Sequence, residues 1–106
     1  MTTSFNIEIV ERASSLILVI RGELDISTAR LLDDELGRAE ATDAATIVVD
    51  LDHVDFIDSS GLHVLIKHAC SDQSRRRVGL TKGSPQAQRL FKLTGTLDHL
   101  PFVSPD

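Results

Sequence analysis

Two hydroxyls and a carboxylate stand side by side at Asp58-Ser59-Ser60, a combination suited to capping a helix or to carrying a phosphate. The flanking sequence says that a helix starts there. Thr46-Ile47-Val48-Val49-Asp50-Leu51 is an apolar, β-branched run that reads as a buried strand. Leu62, Leu65, Ile66 and Ala69 then recur at helical spacing, giving one face of a helix that reaches about Ser71. The oxygens of Asp58 or Ser59 would accept bonds from first-turn N–H groups, which have no partner inside the helix. The positive end of the helix dipole also favours a phosphate carried on a hydroxyl. Caps of this kind are common, so the tripeptide by itself reads first as a cap.

Other chemistry fits less well. Four carboxylates, Asp50, Asp52, Asp55 and Asp58, crowd one expected loop. Asp50-Leu51-Asp52-His53-Val54 resembles the nucleophile loop of haloacid dehalogenase-type phosphatases, D-x-D-x-[TV], in which the first Asp attacks phosphorus beside a magnesium ion. Asp55 stands where that loop is usually aliphatic, and no acidic pair follows a later strand. A small phosphatase-like enzyme using Asp50 and Asp52 is therefore a remote alternative. For acyl transfer Ser59 lacks the G-x-S-x-G elbow. His63, four residues on, has no visible orienting partner or oxyanion hole and reads as a polar residue on the outer helix face. His63 and His68 do not share a helical face, so no metal pair is expected, and Cys70 reads as a small core or boundary residue. No dinucleotide fingerprint or phosphate-binding loop occurs. The expectation is a protein with no cofactor, no metal and no catalytic site of its own.

Composition narrows the class. The 106 residues make one expected domain, 1–106. The formal net charge is −5, and the four aromatic residues are all Phe. An acidic chain with few stacking rings is not expected to bind nucleic acid. Arg75-Arg76-Arg77 is too short a basic run to alter that and reads as a solvated loop entering a strand. A single cysteine excludes an internal disulfide. No leader-like segment opens the chain and Leu16–Ile20 is too short to cross a bilayer, so a cytoplasmic protein without direct membrane binding is expected.

The elements that position Asp58-Ser59-Ser60 follow from periodicity. Phe5, Ile7 and Ile9 alternate with polar residues as in a half-exposed strand. Ala13-Ser14-Ser15 is read as a turn, and Leu16-Ile17-Leu18-Val19-Ile20 as a buried strand ended by Arg21-Gly22-Glu23-Leu24-Asp25. Asp25, Ser27 and Thr28 are candidate caps for a helix to about Ala41. Its inner face is Ala29, Leu32, Leu36 and Ala39, and the acids at 33–35 point outward. Asp72-Gln73-Ser74 is a loop and 77–81 a short strand. Ser84 caps a helix with Pro85 in its first turn, Ala87, Leu90, Phe91 and Thr94 inward, and Gly95 as its stop. Leu97–Val103 is a last, short edge strand. The result is an α/β fold, a mixed, mostly parallel sheet of about five strands with helices packed on one face.

Three motifs together resemble one family. Gly22-Glu23-Leu24-Asp25 before the first helix, Asp58-Ser59-Ser60-Gly61-Leu62 before the second, and Ser84-Pro85 opening a third that holds Arg89-Leu90-Phe91 match the STAS domain. They match more narrowly the bacterial anti-sigma factor antagonists. The resemblance covers about residues 5–97. It implies a STAS fold and a binding switch: such proteins capture an anti-sigma factor that is also an ATP-dependent serine kinase, and so release a sigma factor. It implies that the kinase phosphorylates Ser59 and that a PP2C-type phosphatase reverses this. Asp25, Asp58, Ser60, Gly61 and His63 would lie on the partner-binding surface. The alternative under the same resemblance is a STAS subunit acting as a constitutive interaction module in a transporter or other signalling complex, its Ser pair being structural. Family members often carry a further helix after the last strand, which is not expected here. His63 replaces a frequent small residue, which bears on partner choice.

Overall fold

The computed structural model describes residues 5–70 and 77–103. The Asp72-Gln73-Ser74 loop and the Arg75-Arg76 part of the basic run lie outside them. β1 (Asn6–Arg12) pairs antiparallel with β2 (Ser15–Leu24), Asn6 opposite Arg21 and Arg12 opposite Ser15. β3 (Thr46–Asp50) runs parallel to the first half of β2, and β5 (Val78–Leu80) runs parallel to β3. β4 (Val54–Ile57) pairs in parallel with the last residues of β2. The sheet is therefore mixed and mostly parallel, in the order β1-β2-β3-β5 with β4 beside β2. The helices α1 (Ala29–Glu40), α2 (Ser59–Ala69) and α3 (Pro85–Thr94) pack on one face of it.

The inward stripes meet in one core. Leu18, Ile20 and Leu24 of β2, Ile47 and Val49 of β3, and Val78 and Leu80 of β5 pack against the helices. From α1 come Ala29, Leu32, Leu36 and Ala39, the face that periodicity predicts. Leu62, Leu65 and Ala69 of α2 and Ala87 and Phe91 of α3 complete it. Each large side chain so buried contributes about 1.5–3 kcal/mol relative to exposure.

Several boundaries differ from the sequence reading. The second strand does not end at Arg21. Gly22 takes φ 97° and the register shifts there, with Gly22 opposite Val54 and Glu23 opposite Phe56, so Asp55 of the partner strand is left unpaired as in a bulge and the second strand runs on to Leu24. Val54–Ile57, expected as part of an acidic loop, is a strand. Asp55 and Phe56 are both exposed between buried Val54 and Ile57, so the segment carries no period-two signal. The last expected strand shrinks to a single bridge between Leu80 and Phe102. Five strands are present among the described residues, but β4 takes the place of that segment. Thr94 and Cys70 are exposed rather than inward. Asp33 does not point outward with its neighbours; it turns to His68 and Lys67 of α2.

For the site, the pairing of β2 with β4 matters most. Leu24 stands opposite Ile57, so the chain leaves two adjacent parallel strands at Asp25 and at Asp58.

Candidate functional site

Asp58 is the N-cap of α2. Its backbone is extended, and its Oδ1 accepts from the N–H groups of Ser60 at 2.8 Å and Gly61 at 3.3 Å. Its own N–H donates to the carbonyl of Leu24 at 3.1 Å, which ties the start of α2 to the end of β2. Of the two residues read as candidate caps, Asp58 does the capping. Ser59 is the first helical residue, exposed, and its hydroxyl takes no hydrogen bond among the described residues. It is therefore a free hydroxyl at the positive end of a helix. Ser60 is half-buried beside it.

Gly61 is buried, and its lack of a side chain is what lets α2 sit against β2. A Cβ there would lie 2.6 Å from Cγ and 2.9 Å from Cδ2 of Leu24, and 3.0 Å from its carbonyl oxygen. The residue shapes the surface without presenting a group to it. His63 is exposed on the outer face of α2, as the spacing indicates.

The Asp25 turn forms the other half. Asp25 Oδ1 accepts from the N–H of Ser27 at 3.0 Å, from the Ser27 hydroxyl at 2.7 Å and from the Thr28 hydroxyl at 3.3 Å. The Ser27 hydroxyl chiefly holds the Asp25 carboxyl below its ordinary range; desolvation opposes this, and the backbone N–H of Ser27 and the Thr28 groups add to the lowering. The Thr28 hydroxyl donates to the Glu23 carbonyl at 2.7 Å and accepts from the Asp25 N–H at 2.9 Å. Thr28 occupies the N-cap of α1, but its side chain ties the turn instead of capping the helix. These bonds close the turn and leave Ile26 80% exposed, a large apolar side chain held in water beside Asp25.

The structure brings Asp25, Asp58, Ser59, Ser60 and Gly61 to one end of the sheet. It separates the acids read as one loop. Asp50 ends β3 and accepts from the Asp52 N–H at 3.0 Å and the Thr81 hydroxyl at 3.3 Å. Asp52 accepts from the Gly83 N–H at 3.1 Å. Both carboxylates hold backbone turns, and no group of three or more His, Cys, Asp or Glu among the described residues is arranged to hold a metal ion. A dehalogenase-like role for Asp50 and Asp52 has no support in this geometry.

One contributor escaped the sequence reading. Gln86, in the first turn of α3, accepts from the Ile57 N–H at 2.8 Å and donates to the Ile57 carbonyl at 3.1 Å. No local pattern marks a glutamine for such a contact, since its partner lies 29 residues away. Thr28 was visible only as a candidate cap. Among the described residues, no helix is long and apolar enough to cross a membrane.

Comparison with known proteins places this chain among relatives. The family model of the STAS domain matches residues 5–105. The anti-sigma-B factor antagonist of Listeria monocytogenes is 31% identical over 97 residues, covering 90% of this chain and 85% of that protein. The anti-sigma-F factor antagonist RsfB of Mycobacterium tuberculosis is 32% identical over 62 residues, 58% of this chain, and the match spans about half (51%) of that relative's length. The crystal structure of an anti-sigma factor antagonist from Mycobacterium paratuberculosis superimposes with a TM-score of 0.77 at 23% identity, covering 100% of this chain and 92% of that one. That last likeness is one of fold.

Proposed function

The chain belongs to the STAS domain family, and from that premise we propose that it is an anti-sigma factor antagonist, a binding protein and not an enzyme. In this reading residues 1–106 act as a single domain in the cytoplasm. Unphosphorylated, the domain captures an anti-sigma factor that is an ATP-dependent serine kinase, and a sigma factor is released. The kinase phosphorylates Ser59, which ends the capture, and a PP2C-type phosphatase restores it. Asp25, Asp58, Ser60 and His63 contribute groups to the partner-binding surface, and Gly61 sets its shape.

One observation carries the reading. Ser59 is an exposed hydroxyl at the first position of α2, and the neighbouring carboxylate already does the capping. It is therefore available for modification at little cost to the fold. A phosphate there adds about −1.5 to −2 charges at neutral pH. It would sit next to the Asp58 carboxylate and near the Asp25 turn, so like charges concentrate on the face that meets the partner. A coupling of about 1–3 kcal/mol changes affinity roughly 5–150-fold, enough for a switch. The helix dipole partly stabilises the phosphate, so the change is one of surface and not of unfolding.

Calorimetric titration of the cognate anti-sigma kinase tests this. Ser59→Ala is expected to bind and to resist inactivation by ATP, and Ser59→Asp to bind more weakly. Equal affinity of the two variants would overturn the proposal.

A further inference from the structure

β4 is bonded to β2 along one edge. At Ile57 the other edge is met by a side chain. The Gln86 amide accepts from the Ile57 N–H at 2.8 Å and donates to the Ile57 carbonyl at 3.1 Å. This is the pair of bonds that a further strand would supply, made here by one residue of α3. The two peptide planes that flank Ile57 are thereby held. The second of them is held from both sides, since its carbonyl takes the Gln86 amide and its N–H, that of Asp58, donates to Leu24. Asp58 and Ser59 follow directly, so the direction in which the chain enters α2 is set by Gln86 and Leu24 together.

From this we infer that Gln86 is a positioning residue for the Ser59 segment. Its amide substitutes for a missing neighbour of β4, fixes the turn through Asp58, and so fixes how the Ser59 hydroxyl is presented. The helix that carries Gln86 is itself firmly anchored. Ser84 accepts from the Ala87 N–H at 3.2 Å, Pro85 occupies the first turn of α3, and Phe91 is fully buried. The positioning itself stands on the hydrogen bonds. Only its consequence for phosphorylation rests on the function proposed for Ser59.

The test compares Gln86→Leu with Gln88→Leu, the same chemical change on the same helix. Gln88 donates its amide to the Lys82 carbonyl and makes no hydrogen bond to β4 among the described residues. Backbone amide exchange is followed at Ile57, Ser60, Gly61, Val49 and Leu80, and initial rates of Ser59 phosphorylation are measured with the cognate anti-sigma kinase and ATP. In Gln86→Leu, exchange at Ile57, Ser60 and Gly61 is expected to rise about tenfold or more, with Val49 and Leu80 unchanged, and kcat/KM at Ser59 to fall about tenfold. Gln88→Leu should do neither. Gln86→Glu, which keeps the acceptor for the Ile57 N–H but when ionised has no donor for the carbonyl, should fall between and serves if the leucine variant does not fold. Equal effects of the two leucine variants, or exchange at Ser60 and Gly61 within about twofold of wild type, would overturn the inference. Absence of phosphorylation at Ser59 in the wild-type protein would overturn the Ser59 reading alone, and the exchange data would still decide the role of Gln86.

Discussion

The Nε2 of His68 lies 2.6 Å from the Oδ1 of Asp33 and joins α2 to α1. The other ring nitrogen of this buried histidine faces the Glu40 carboxylate, and the Lys67 ammonium reaches both oxygens of Asp33 at 3.1 Å. The imidazole thus bridges a carboxylate at each of its two ring nitrogens. Helix α1, which follows the Asp25 turn, and helix α2, which begins at Ser59, are thus joined by the Lys67–Asp33 ion pair and the His68 contacts as well as by apolar packing.

This cluster gives stability a pH dependence of definite sign. The hydrogen bond from His68 chiefly lowers the Asp33 carboxyl below its ordinary value, with desolvation opposing and Lys67 assisting. A carboxyl lowered by folding stabilises fully above its unfolded value and ceases to do so as pH falls through its folded value. Asp33→Asn is therefore expected to be less stable than wild type at neutral pH, and the gap is expected to close below about pH 4. Urea unfolding at a series of pH values checks it; a gap that widens on acidification contradicts the assignment.

The division of labour between Asp58 and Ser59 predicts unequal alanine effects. Asp58→Ala removes the acceptor of the Ser60 and Gly61 N–H groups and should cost about 0.5–2 kcal/mol. Ser59→Ala removes an exposed hydroxyl that caps nothing and should stay within about 0.5 kcal/mol of wild type. Chemical denaturation of both separates them. A larger loss at Ser59 would make it the true cap.

The inward faces of α1 and α2, the Ser84-Pro85 helix start and the Gly95 stop were legible because each depends on nearby residues. Gly95 takes φ 74° and ends α3 as a glycine in that position does. What escaped the sequence depends on partners far along the chain. β4 is a strand through its pairing with the end of β2, from Gly22 to Leu24. His68 read as one of two histidines on unlike faces, and nothing local announced the carboxylates waiting on α1. Asp58, Ser59 and Gly61 were visible as a motif, yet only the packing against Leu24 says what the glycine does.

Gly61 supplies a third prediction. Gly61→Ala places a Cβ 2.6 Å from Leu24 Cγ and 3.0 Å from the Leu24 carbonyl oxygen, and the side chain alone cannot relieve the second contact. α2 must shift away from β2, at about 1–3 kcal/mol as for other overpacked sites. That shift moves Ser59 relative to the Asp25 turn, so binding to the anti-sigma kinase proposed as partner should weaken along with stability. Normal affinity in a destabilised Gly61→Ala would separate the packing role from the surface.

Thr81 governs how the chain is delivered to β4. It is 1% exposed, and its hydroxyl accepts from the Leu51 N–H at 2.8 Å and donates to Asp50 Oδ1 at 3.3 Å. These bonds close the end of β3, from which the turn at 51–53 leads into β4 and on to Ser59. Thr81→Val fills the same space but leaves the N–H of fully buried Leu51 without an acceptor, at about 1–3 kcal/mol. Thr81→Ser keeps the hydroxyl and loses one methyl, worth about 0.8 kcal/mol. Serine should therefore be the milder change although valine is the closer in shape. The order of the two urea midpoints decides between a hydroxyl that bonds the turn and a side chain that only fills volume.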